Sequence, residues 1–139
     1  MRTIKFRAWD KDKRIMLSWE QIIHNSKMNL FGGLFELFRR EEIKAMQFTG
    51  LQDKHGKDIY EGDILKIDWE NCEYVENKLY NIKYYECTGA YCLADLRTDG
   101  ADDIISFEEI FSSDGTDVSE IPLKIIGNIH ENKDLITNK

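Results

Sequence analysis

Apolar and polar residues alternate along most of this chain, and glycines punctuate the alternation. In residues 3–10, Ile4, Phe6 and Ala8 point one way and Lys5, Arg7 and Trp9 the other, the period of a half-buried strand. The run DKDK at 10–13 reads as a turn, after which 15–19 returns as a second strand closing a hairpin. Strand patterns recur at 45–51, 64–69, 78–85, 90–96 and 123–129, while 104–111 fits a strand or one helical turn. Gly56 in DKHGK, Gly62 and Asp63 in YEGD, Gly89 after Thr88, and Gly127 in IIGN mark the joints. Glycine adopts positive φ without cost and aspartate bonds nearby amides, so Gly56, Gly62, Asp63 and Gly127 are read as structural turn residues. Pro122 suits the first position of the last strand, and the tail reads as one short helical turn.

About seven short strands with little helix predict a mostly β fold, a small barrel or a strongly bent antiparallel sheet. Residues 20–45 break the pattern. Their apolar core, MNLFGGLFELF, fits a strand, a helix interrupted at Gly32-Gly33, or a lid, and is treated as an inserted segment. With 139 residues the chain reads as a single domain, 1–139, large enough to bury roughly two-thirds of its unfolded surface.

Composition narrows the class. Charged residues make up 32% and hydrophobic ones 42%, values of a folded soluble protein. No apolar run nears the roughly 20 residues that cross a bilayer, and the charged start MRTIKFRAWDKDKR lacks a secretion signal, so a cytoplasmic location is expected. Cys72, Cys87 and Cys92 match no zinc or redox spacing and suit a reducing compartment. The charge is uneven. Residues 1–50 hold ten Lys/Arg against six Asp/Glu and residues 51–139 nine against twenty, giving the net −7. Between 98 and 123 lie eight acidic residues and no basic one, a solvated loop or a surface for a basic partner. A negative chain is repelled by phosphate backbones, which lowers the expectation of nucleic-acid binding without excluding it.

No catalytic motif stands out, and nothing in the sequence implies a metal or cofactor. Glu61 and Asp63 bring two carboxylates together, yet Gly-Asp at a strand entrance is also how a turn is made. Three Trp and six Tyr supply aromatics that on a barrel are core, or that with Arg2, Lys5 and Arg7 would stack bases. Alternation sets Trp9 opposite Ile4, Phe6 and Ala8, on an exposed face or in an interface. The apolar stretch 28–38 reads as a contact surface as readily as core.

Three segments taken in order, IKFRAWD at 4–10, QFTGLQDKHGKDIYEGDI at 47–64 and IIGNIHEN at 125–132, resemble the YopX family of bacteriophage and prophage proteins. The resemblance spans the chain and implies a mostly β, barrel-like domain made in a bacterial cytoplasm. It supplies no catalytic residue. One departure is Lys133, where the family often has proline, which loosens φ there without altering chemistry. The expected function is therefore an accessory module without enzymatic activity, which self-associates or binds a host or phage protein. Its candidate partner surface is Trp9, Asp102, Asp103, Glu108 and Glu109. The alternative is a nucleic-acid binder using the basic N-terminal third and exposed aromatics.

Overall fold

The computed structural model describes residues 3–27, 34–68, 78–97, 104–107 and 122–137. The fold is mostly β, with nine strands and three short helices among the described residues. The chain divides into two compact units, Met1–Phe48 and Thr49–Lys139.

In the first unit, β1 (Phe6–Asp10) lies between β2 (Ile15–Leu17) and the first half of β3 (Ile43–Gln52), both antiparallel to it. Asp10 shapes the expected hairpin turn, its Oδ1 accepting the amides of Asp12 at 3.0 Å and Lys13 at 2.9 Å. The segment read as an insertion, 20–45, takes in helix α1 (Trp19–Lys27) from its second residue on and helix α2 (Leu34–Arg39); Gly32-Gly33 lies outside the described residues. Ser18 starts α1 with a reciprocal cap. The Gln21 amide donates to Ser18 Oγ at 3.2 Å, and the Ser18 amide donates to Gln21 Oε1 at 2.8 Å. The cap aims Ile22, fully buried, at Ala8 and Ile43, with Leu17, Trp19 and Phe38 packed around them. Phe6 joins this layer through ring contacts with Trp19 at 5.9 Å and Phe38 at 5.2 Å.

Trp9 corrects the sequence reading. It is 9% exposed, and Ala8, Trp9 and Asp10 are all buried. β1 is the middle strand, with Met16 and Lys44 flanking Trp9, and both of its faces are covered. Alternation on such a strand no longer separates an inner face from an outer one.

In the second unit the remainder of β3 runs beside β4 (Asp58–Tyr60). Five further strands, β5 (Asp63–Ile67), β6 (Leu79–Tyr85), β7 (Ala90–Asp95), β8 (Ile104–Ser106) and β9 (Leu123–Asn128), form an antiparallel sheet. Its order is β8-β7-β6-β5-β9. Helix α3 (Lys133–Thr137) follows. Leu65 pairs with Tyr80, Ile82 with Leu93 and Leu93 with Ile105, so one sheet face carries these side chains in a row. With Ile59, Ile67 and Leu123 they build the larger core, and Leu51, Tyr91 and Ile125 pack against it. Among the described residues no helix is long and apolar enough to cross a membrane.

Candidate functional site

The central and C-terminal signature segments meet at β9, and their polar side chains form a set of turn locks. Asp53 holds the first. Its Oδ1 accepts the amides of His55 at 2.8 Å and Lys57 at 2.9 Å, and its Oδ2 accepts the Ile125 amide at 3.3 Å. The Lys54 amide donates to the Leu123 carbonyl at 2.8 Å, and its side chain pairs with Asp68. The 53–57 turn thus covers the outer edge of β9, which would otherwise expose unpaired backbone groups. Burial pushes the Asp53 carboxyl up, but the Lys57, His55 and Ile125 amides and the nearby His55 charge outweigh this. The result lies below the ordinary carboxylate range.

Gly62 holds the second lock. Its φ of 82° is open to glycine at little cost, and its amide donates to the Ile82 carbonyl at 3.0 Å. Its carbonyl accepts the Ile129 amide at 3.0 Å, which ties the YEGD turn to β6 and to the chain beyond β9. Asp63 is 1% exposed and its Oδ2 accepts the Tyr60 amide at 2.8 Å. Gly56, at φ 77°, closes the 53–57 turn by donating to the Asp53 carbonyl.

The third lock corrects the reading of Gly127, which lies inside β9 beside a bulge and not in a turn. A Cβ there would stand 2.4 Å from Asn132 Oδ1, and close approach is the reason for glycine. Asn132 Oδ1 accepts the Asn128 amide at 3.0 Å. Asn128 Oδ1 in turn accepts His130 and Glu131 amides, and its Nδ2 donates to Glu131 Oε2 at 2.7 Å. The motif GNIHEN is a self-satisfied knot of hydrogen bonds.

The proposed partner residues do not gather in the described structure. Trp9 is buried in the first unit. Asp102, Asp103, Glu108 and Glu109 lie outside the described residues. Among the described residues no three His, Cys, Asp or Glu side chains cluster as metal ligands would.

The first unit holds a hollow of about 130 Å³ that sequence reasoning missed. Asp10, Asp12 and Glu42 supply acidic groups to its wall, and Lys13 and Arg40 basic ones. Asn25 adds an amide, and Leu17 and Ile43 an apolar side. The hairpin turn brings Asp10, Asp12 and Lys13 there, α1 brings Asn25, and the residues between α2 and β3 bring Arg40 and Glu42. The Lys11 amide donates to the Glu42 carbonyl at 2.9 Å and its Nζ to the Glu41 carbonyl at 3.0 Å, which fastens the turn to that segment. Only the turn-forming DKDK run was visible beforehand; nothing in it announces a buried carboxylate.

A small, mostly β architecture with its signature polar residues tied into turns defines the class. The chain belongs to the YopX family: the family model described as YopX protein matches residues 5–137. Among solved structures it is similar to protein EF1440 from Enterococcus faecalis, at 24% identity and a TM-score of 0.56, over 98% of this chain and 99% of that one. That likeness concerns the fold. No curated protein matches the chain.

Proposed function

We propose that this protein is a binding module without enzymatic activity. In this reading it is an accessory protein of a bacteriophage or prophage that acts in the bacterial cytoplasm by holding another protein or a second copy of itself. The observation that carries this reading is the commitment of the central signature carboxylates. Asp53 accepts three backbone amides and the buried Asp63 accepts that of Tyr60, so the best placed acids serve the scaffold. The acidic run between 98 and 123 carries charge complementary to a basic partner.

Affinity capture by tagged protein from nuclease-treated bacterial lysate tests this. Charge reversal at Asp102, Asp103, Glu108 and Glu109 is expected to weaken capture of a stoichiometric partner roughly tenfold with the melting temperature retained. Capture indifferent to the reversal removes the acidic surface from the account. The alternative is a nucleic-acid binder that uses the basic N-terminal third, without Trp9, which is buried. Salt-sensitive oligonucleotide anisotropy, weakened by removing basic residues of the N-terminal third, would favour it.

A further inference from the structure

We propose that the hollow in the first unit binds a compact primary ammonium on a short hydrocarbon stem, with the Asp10 carboxylate as its counter-charge. The inference goes beyond the protein-binding reading and does not depend on it, since a free alkylamine and a lysine side chain present the same chemistry. Asp10 is 8% exposed and stands at the wall of the hollow. Its Oδ1 is occupied by the Asp12 and Lys13 amides, while its Oδ2 accepts no hydrogen bond among the described residues. A carboxylate oxygen left without a hydrogen bond at the wall of a hollow is stabilised most by a charge-assisted donor, and an ammonium brings three.

The rest of the wall selects the same ligand. Asp10, Asp12 and Glu42 against Lys13 and Arg40 leave one net negative charge around the opening. Neither Asp12 nor Glu42 is paired with a basic side chain among the described residues, whereas Arg40 already has a partner. An anion would face the Asp10 carboxylate. A bare metal ion would leave most of the roughly 130 Å³ empty. Leu17 and Ile43 offer an apolar side against which methylenes can lie, and a space of this size equals about four liquid waters in volume. A four-carbon amine fits that volume, as does the end of a lysine side chain.

The test is a titration of the full-length, ¹⁵N-labelled protein with n-butylammonium chloride, with sodium chloride at equal ionic strength as control and sodium butyrate as the chain of opposite charge. The expected result is saturable shifts confined to the amides around Asp12, Lys13, Asn25 and Glu42, with a Kd on the order of 1 mM. Asp10→Asn keeps an oxygen for the Asp12 and Lys13 amides, so the turn persists, and affinity should fall at least tenfold. Glu42→Gln, on the rim, should weaken binding about threefold and gives a second reading if the Asp10 variant does not fold. Nα-acetyl-lysine methylamide separates the sources: tighter binding than butylammonium assigns the site to a partner's lysine, and weaker binding to a free amine. Absence of saturable shifts in the wild-type protein, equal shifts with butyrate, or unchanged affinity in a folded Asp10→Asn protein would overturn the proposal.

Discussion

Asp53 and Asp10, one in each unit, use their carboxylates in opposite ways. In the second, Asp53 spends both carboxylate oxygens on backbone amides, one of them across 72 residues of chain on β9. In the first, Asp10 spends one oxygen on its own turn and lines a charged hollow with its other oxygen unbonded. Their cores differ in the same sense. Among the described residues the second unit buries seven hydrophobic residues in one cluster and the first three, helped by the rings of Phe6, Trp19 and Phe38. The lesson is that the signature carboxylate Asp53 of the second unit holds a scaffold together, whereas Asp10, which closes the first signature segment, keeps one oxygen for other chemistry.

The most severe break in this comparison comes from the larger core. Leu93→Ala removes a fully buried side chain from the row formed with Ile82 and Ile105 and is expected to cost about 4 kcal/mol in equilibrium unfolding. Ile22→Ala, equally buried but in the smaller cluster, should cost about 2 kcal/mol, because fewer neighbours line the cavity. Equal losses would mean that the two cores are one energetic unit.

Gly127→Ala tests the third lock. Its new Cβ displaces Asn132 and strips the acceptor from the Asn128 amide, so urea unfolding should show a loss of about 2 kcal/mol. Asn132→Gly in the same background should relieve the clash and leave only the lost hydrogen bond. A smaller effect is expected at Lys5. Lys5→Gln removes its ammonium from the Phe48 ring, a change of about 0.5 kcal/mol by the same measurement.

Much of this fold was legible in advance because glycine and alternation are local signals. The 10–13 turn, the pairing of 78–85 with 90–96, the last strand and the YEGD turn all follow from residues within a few positions of one another. Gly127 misled because it serves a strand, where it makes room for Asn132. Trp9 misled because its position in the middle of a sheet is a property of topology, absent from local pattern. The bond from Asp53 to Ile125 and the gathering of Asp10, Asn25 and Glu42 were invisible for the same reason. Each depends on which distant segments meet.

The claim that the signature residues are structural is tested most directly by unfolding wild-type protein and Asp53→Ala across pH 7 to 3. The Asp53 carboxyl titrates below its ordinary value in the folded state. Its stabilisation is therefore fully present above the unfolded value of about 3.9 and is lost as pH falls through the lower folded value. The account predicts that the variant is less stable by about 3 kcal/mol at pH 7, with three amides left without their acceptor. That gap should narrow as acid protonates the wild-type carboxylate. Equal stability at pH 7, or a gap that stays constant down to pH 3, would contradict it.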